Sequence, residues 1–418
     1  MEPVRFVVIG LGGYGLVHIE AVRWLARQGL GRLTGVVALP VDRAARPDMV
    51  ASLQQEGVVL YESVEQFMSS GIRTADVLTV PIGIHEHVPV SIAAMEAGLH
   101  VYCEKPVAGT VQEVDQLIAA RDRTGRHCAI GFQHIYSNSL RQLKARIQGG
   151  RLGSLTRATL FSGWPRSKQY FTRNEWTGKL RIGQDWILDS PANNANAHYL
   201  LNILYAGSHM EGAASTKALT AHLYRANPLE STDTVQLRFV TDEGVRMHVI
   251  LTHANGSPHG PRMVFTGERG TAYWQTDEGF SIVRYADGSA ETFDNRLHDK
   301  WRYDGFKNLV EAIRGAAPVL CPPELARAQT LAVNLMHESC PVIRTIDPAY
   351  ITEAEDWEMF PPNTKGLFRR VRDIDSAMVV AVQEDAFFSE LGLPWAAGMA
   401  GREVSGTGYT EFKGKGMR

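Results

Sequence analysis

Val4 to Ile9 is apolar apart from Arg5, the pattern of a strand buried on both faces over most of its length. Six residues, Gly10-Leu11-Gly12-Gly13-Tyr14-Gly15, lead from it into a helical pattern through Val22, Leu25 and Ala26. Thr34 to Leu39, Val58 to Tyr61 and Ala75 to Val80 are predicted as further strands, alternating with helices around 63–69 and 85–97. Gly98 closes the second of these helices as a C′ residue. Leu99 to Val107 then reads as an apolar strand running into Glu104-Lys105-Pro106. Pro106 lacks a backbone N–H and fixes its own φ, so the strand ends there. Thr110 to Glu113 has capping-box spacing for a helix to Thr124, and His127 to Phe132 is one more strand, followed by Gln133-His134-Ile135-Tyr136. Strand and helix alternate throughout, so the first third is an α/β doubly wound parallel sheet.

The pattern changes beyond Ser137. A helix is predicted to Gly150, where two glycines suit a domain boundary. Period-two segments follow at Gly153 to Gly163, Thr216 to Tyr224, Thr232 to Val240, Val245 to His253, Arg262 to Phe265, Thr271 to Trp274 and Phe280 to Tyr285. Asp242-Glu243-Gly244, Gly267-Glu268-Arg269-Gly270 and Ala286-Asp287-Gly288-Ser289 punctuate them as turns, giving an antiparallel meander. Pro322-Pro323 starts a helix to about Ser339. The tail from Gly366 carries a helical apolar pattern through Val371, Ile374 and Val379 and is expected to pack across the domains. The resulting division is 1–135, 136–365 and 366–418.

A chain of 418 residues exceeds one typical core, in keeping with that division. Its 44% hydrophobic and 21% charged residues are ordinary for a globular protein. The formal charge of −2 gives no electrostatic reason to expect a nucleic acid or an anionic membrane as partner. Cys103, Cys128, Cys321 and Cys340 are scattered without CxxC or metal-type spacing, so they read as buried or idle thiols of a reducing compartment, and no metal is expected. A strand within four residues of the N-terminus leaves no room for a signal peptide, and no apolar run approaches membrane-spanning length. A cytoplasmic protein is expected.

Candidate chemistry collects at the carboxyl ends of the predicted strands, where open α/β sheets bind ligands. Gly10-x-Gly12-x-x-Gly15 lies between a strand and a helix, the context a dinucleotide phosphate site requires. Gly10, Gly12, Gly13, Tyr14 and Gly15 are its candidate residues. After the second strand, Asp42 is either a plain turn residue or the acid that binds the adenosine ribose of NAD, while Arg43 or Arg46 suits the 2′-phosphate of NADP. Asp42 comes first, which favours NAD. Pro81 and His85 lie in the loop after Val80, His85 as a helix cap or a cofactor contact, and Gln133 follows the last strand as a further cofactor candidate. Further on, Arg166, Tyr170, Arg173 and Trp176 interleave cations with aromatics, either as an ordinary bridging loop or as a surface for a hydroxyl-rich ligand. Rings cover the apolar face of a sugar while the cations bind its hydroxyls.

Gly10-x-Gly12-x-x-Gly15-x-x-His18, then Pro81 with His85, then Glu104-Lys105-Pro106, in that order and spacing, resembles the glucose–fructose oxidoreductase/inositol dehydrogenase/rhizopine catabolism (Gfo/Idh/MocA) family. The resemblance implies an N-terminal Rossmann domain and a C-terminal α+β domain whose largely antiparallel open sheet serves homo-oligomers, dimers or tetramers. It implies hydride transfer between NAD(P) and a secondary alcohol of a sugar, cyclitol or related polyol. Lys105 is then the catalytic lysine, with Glu104 and Pro106 shaping the nicotinamide end of the cleft. His198 matches the family's proton-shuttling His in Asp-x-Gly-x-His, but Asn194 stands at the position of the Asp and Asn196 at that of the Gly. An amide hydrogen-bonds a hydroxyl but accepts no proton at neutral pH. Lys105 and His198 therefore carry the expected acid–base work, and Asn194 joins the substrate residues. Two alternatives follow from the same resemblance: a redox-neutral epimerase, lyase or glycosidase with tightly held NAD, and a sensor that binds dinucleotide and sugar without chemistry.

Overall fold

The computed structural model describes residues 1–275, 280–294, 298–358 and 364–417, and they cluster into two units. The first unit is built on six parallel strands, β1 (Val4–Ile9), β2 (Gly31–Val37), β3 (Val59–Tyr61), β4 (Val77–Val80), β5 (His100–Cys103) and β6 (Cys128–Ile130). They lie in the order β3-β2-β1-β4-β5-β6. Chain direction across the sheet reverses between β1 and β4. The loops that leave those two strands, at 10–13 and 81–83, therefore open a crevice at the carboxyl edge. β2 ends at Val37 rather than Leu39 because Pro40 starts a short helix, Pro40–Ala45, which takes in Asp42 and Arg43. The helix expected at 63–69 is a single turn, Val64–Gln66, continued as a π-helical turn over Phe67–Gly71.

Apolar side chains of the strands and of helix Tyr14–Ala26 make the core: Phe6, Val8, Ile19, Val22, Leu25 and Tyr102 are buried together. Residues 298–327 complete this unit, although the sequence division placed them in the second domain. Helix Asp304–Ile313 supplies Phe306, Leu309 and Val310 to the core, and the Ile130 amide donates to the Cys321 carbonyl at 2.9 Å. A helix with one apolar stripe settles wherever that stripe is buried, whatever its place in the chain.

The second unit holds a 10-stranded mixed sheet. From one edge it runs Ala290–Asp294, Phe280–Tyr285, Gly270–Gln275, His259–Gly267, Leu155–Gly163, Arg246–Thr252, Thr234–Thr241, Thr216–Arg225 and Arg344–Thr345, with Val404–Ser405 also on Thr216–Arg225. Most neighbours are antiparallel, as expected. Strand 155–163, however, inserts into the meander and runs parallel to 246–252. The central strands also depart from simple alternation, since every residue of Arg246–Thr252 but Arg246 is buried. The tail explains this: Ile374, Met378, Ala381, Phe388 and Trp395 cover Tyr224, Ile250 and Ala254. Helix Ala197–Ala206 packs against strand 155–163. Its C-terminal end is tied down by the buried Lys144, whose Nζ donates to the carbonyls of Tyr205 at 2.7 Å, Ser208 at 3.2 Å and Gly212 at 2.8 Å.

The predicted tail helix starts later than its apolar pattern suggested. Lys365–Val371 is a strand paired with Ile351–Trp357, and only Ile374–Glu384 is helical. Arg369 lies directly opposite Glu353 and forms an ion pair with it at 2.9 Å, a cross-strand pair that a helix would not form. Among the described residues no helix is long and apolar enough to cross a membrane.

Burial holds several imidazoles neutral, with an expected consequence in acid. His87 is pushed down to about 4, and His253 and His337 to about 3, from an ordinary value of 6.5. Between those values and 6.5 the unfolded chain binds more protons than the folded one, so stability is complete above pH 6.5 and lost as pH falls towards 4. Urea midpoints are expected to drop steeply between pH 7 and pH 5. A midpoint unchanged over that range contradicts the assignment.

Candidate active site

The glycine turn is built for a ligand rather than for packing alone. Gly10 and Gly13 sit at φ 95° and 50°, in the left-handed region where a side chain is strained. A methyl group on Gly10, Gly12 or Gly13 would meet nothing within 4 Å, so the backbone faces open space. Gly15 differs, for its Cβ would lie 2.5 Å from the Gly10 carbonyl oxygen. The helix beginning at Tyr14 has no side-chain cap and no acid in its first turn. Free N–H groups and a positive dipole end with no acid in the first turn are what an anion such as phosphate requires.

At the end of β5 lies a buried carboxylate held from both sides. Glu104 is 5% exposed. One oxygen meets His18 Nε2 at 3.1 Å and the other accepts from the Lys105 amide at 3.1 Å. His18 is fully buried among Tyr14, Tyr102 and Phe306, which meet its ring edge-on at 6.1, 5.5 and 4.9 Å. Gly131 closes the other side, where a Cβ would lie 2.6 Å from Glu104. The carboxylate thus fixes the backbone from which Lys105 projects, immediately before the cis Lys105–Pro106 peptide.

The remaining expected cofactor residues of this unit fall into two groups. Tyr14 and Gln133 meet, the Gln133 amide donating to the Tyr14 hydroxyl at 2.7 Å. Pro81 leads to Gly83, which is the N-cap of helix Ile84–Glu96 without any side-chain capping bond, so His85 is not the cap. Its ring instead lies over Gly83, and its Nδ1 is buried without a hydrogen-bond partner. Asp42 and Arg43 sit apart from these, at the end of β2. Arg43 Nε donates to the Ala38 carbonyl at 2.9 Å, leaving its Nη2 buried and unpartnered.

His87 was not among the expected residues. It is buried between two loops, with Nδ1 2.8 Å from the Pro106 carbonyl and Nε2 3.1 Å from that of Ile82. It sits between the loop after β4 and the loop after β5, where its neutral ring donates to one of the two carbonyls, and Pro106 directly follows Lys105. Nothing in the sequence marks it beyond its place in the first turn of a helix at the carboxyl edge. All four cysteines are buried, and burial pushes the Cys103 thiol well above its usual range.

The expected substrate residues all lie in the second unit. Asp189, 3% exposed, accepts from the Gly178 amide at 2.6 Å and from the Asn194 side-chain amide at 2.8 Å. This carboxylate, which the sequence reading passed over, orients Asn194. His198 lies in the first turn of helix Ala197–Ala206, and Trp164 packs edge-on against its neighbour Tyr199 at 5.5 Å. Arg166 and Arg173 flank Tyr170, with guanidinium carbons 4.7 and 3.7 Å from the ring centre, and Arg173 lies 5.6 Å from that of Trp176. Asn196 takes the hydroxyl of Ser162 at 3.1 Å, so it serves packing rather than the loop's open side.

Comparison with known proteins agrees with the first unit's geometry. A family model described as an oxidoreductase family with an NAD-binding Rossmann fold (Gfo/Idh/MocA) matches residues 4–132. Rhizopine catabolism protein MocA of Rhizobium meliloti is 28% identical over 165 residues, 38% of this chain and 47% of that protein. Inositol 2-dehydrogenase of Corynebacterium glutamicum is 24% identical over 155 residues, 37% of this chain and 44% of that protein. The matched part thus spans less than half the length of these curated relatives. Among solved structures, the WlbA dehydrogenase of Bordetella pertussis in complex with NADH and UDP-GlcNAcA has a TM-score of 0.66 at 19% identity, covering 81% of this chain and 96% of that one. An inositol dehydrogenase homologue of Azotobacter vinelandii, complexed with NADH and myo-inositol, has a TM-score of 0.64 at 15% identity, covering 79% and 94%. At these identities the likeness is one of fold. Residues 4–132, with their glycine turn, His18–Glu104 pair and Glu-Lys-Pro strand end, match the NAD-binding Rossmann domain of the Gfo/Idh/MocA oxidoreductase family.

Proposed function

We propose that this protein is an NAD(P)-dependent oxidoreductase that moves a hydride between nicotinamide and a secondary alcohol of a sugar, cyclitol or related polyol. The observation that carries the reading is the buried Glu104, gripped by His18 and by the Lys105 amide at the carboxyl end of β5. A carboxylate kept out of water on two partners is costly to maintain for a strand end alone, and it fixes one lysine in place. The residues present fit a dinucleotide. Gly10, Gly12, Gly13 and the helix end at Tyr14 would hold its pyrophosphate, and Asp42 or Arg43 its adenosine end. When bound, the dinucleotide supplies the hydride acceptor or donor.

The chain's own part is proton chemistry and positioning. As the carbinol carbon loses its hydride, the hydroxyl proton must leave to a base within hydrogen-bond reach. In this proposal His198 takes that proton and Lys105 stabilises the charge growing on the oxygen. Asn194, held by Asp189, orients a hydroxyl but takes no proton. The test is the nicotinamide absorbance band of the protein with NAD, then NADP, across a panel of sugars, cyclitols and their acids. Substrate-dependent NADH or NADPH formation supports the reading. Product formation with no net change in that band points to the redox-neutral cycle, and dinucleotide binding with no conversion of any kind overturns catalysis.

A further inference from the structure

We propose that Arg166, with Arg173 and the Tyr170 hydroxyl, forms a subsite for an anionic group, so that the substrate is an acidic sugar derivative carrying a carboxylate. The inference rests on the proposed oxidoreductase function for the word substrate, but its evidence is separate and lies wholly in the second unit. Arg166 is only 4% exposed, yet its Nε and Nη1 have no hydrogen-bond partner. A guanidinium stays charged at any ordinary pH, and although this one bonds the Tyr170 side chain, leaving two of its buried N–H groups unfilled is costly. Among the described residues no carboxylate stands within ion-pair distance of it.

Of the acids nearby, Asp189 is engaged and Glu358 is engaged through one oxygen. Glu358 faces Arg166 electrostatically, but its Oε1 accepts the Ser167 hydroxyl, and its second oxygen is buried without a hydrogen-bond partner. Asp189, which faces Tyr170, accepts from the Gly178 amide and the Asn194 side chain. Arg173 adds a second positive charge over the Tyr170 ring and is exposed enough to move, its Nη1 bonding only the Tyr170 carbonyl at 2.7 Å. Two cations thus share one phenol.

The framework behind Arg166 is rigid. Its amide donates to the His253 carbonyl at 3.1 Å, and the Trp164 amide to that of Thr252 at 2.9 Å, so the segment continues the edge of strand 155–163. His253 Nδ1 sits 2.8 Å from the Trp164 carbonyl and is itself held neutral by burial, so it adds no competing charge. The unfilled Nε–H and Nη1–H lie on different edges of the planar guanidinium, and each offers one charge-assisted bond to an anion. Trp176 lies on the far side of Arg173, its ring centre 5.6 Å from that guanidinium. The same cations would also accept a phosphate ester, and the test separates the two.

Titration calorimetry on the full chain, with and without NADH, would compare glucuronate and gluconate with glucose 6-phosphate, glucose and myo-inositol. The carboxylates are expected to bind at least about tenfold tighter than glucose, with the advantage shrinking at high salt. Arg166→Gln should remove that preference, Arg166→Lys restore it only in part, and Arg173→Gln, at an exposed site that cannot threaten folding, weaken it several-fold. Neutral sugars binding as tightly as the acids, or an acid preference that survives both Arg166→Gln and Arg173→Gln, would overturn the subsite. A preference for glucose 6-phosphate over both carboxylates would overturn the carboxylate assignment. Acid binding with no hydride transfer would sink the oxidoreductase reading and leave the subsite standing, while turnover confined to neutral polyols would do the reverse.

Discussion

Lys105→Ala and His198→Ala are each expected to lower kcat by about a hundredfold or more, the usual worth of a positioned acid–base or electrostatic group. The reason differs between the two. His198 is the imidazole in the first turn of its helix, and Asn194 holds an amide where a carboxylate would serve. Lys105 projects from a backbone that Glu104 fixes through its amide. Neither substitution touches the glycine turn, so NADH affinity should stay within a few-fold of the unaltered protein. Steady-state rates with the substrate found in the absorbance screen, beside NADH fluorescence titrations, separate the two quantities. Wild-type turnover in both variants would refute the assignment. The variant Glu104→Gln refines it: it keeps the volume and removes the charge, so an intermediate loss in kcat with unchanged NADH binding is expected.

The second large effect falls on the glycine turn. In Gly15→Ala the new methyl carbon lies 2.5 Å from the Gly10 carbonyl oxygen, 3.0 Å from its carbon and 3.1 Å from the Ile9 oxygen. All three are backbone atoms, and none can swing aside. Helix Tyr14–Ala26 must therefore move away from β1, taking with it the N–H groups that would hold the pyrophosphate. NADH affinity is expected to fall by about a hundredfold, with a lower Tm because Ile19, Val22 and Leu25 on that helix are core residues. Gly12→Ala is the control, since nothing lies within 4 Å of its Cβ. It should lower NADH affinity with Tm nearly unchanged, because only a ligand would meet the added methyl. Full nucleotide affinity in Gly15→Ala would show that the turn is structural.

Much of the first unit was legible because its rules are local. An apolar run long enough for one strand, a glycine turn and a helical stripe follow one another in the sequence as they do in space. Gly98 at φ 94° closes its helix as expected, for the same local reason. At Gly366 to Val371 the tail departs from the expected helix, because a helical period and a strand's alternation share the same apolar positions over so few residues. Its partner Ile351–Trp357, with Glu353 opposite Arg369, decided between them.

What the sequence determined by itself was the parallel α/β sheet, the glycine turn at its carboxyl edge, and the Glu-Lys-Pro strand end, each written in contiguous residues. Tertiary structure alone decided which distant side chains share a buried space. It set His18 against Glu104, His87 between two loop carbonyls, Asp189 against Asn194, and the helix at 304–313 beneath the first sheet. It also left the Nε–H and Nη1–H of the buried Arg166 without a hydrogen-bond partner. Burial and pairing of charges are properties of neighbours far apart along the chain, and no periodicity in the sequence encodes them.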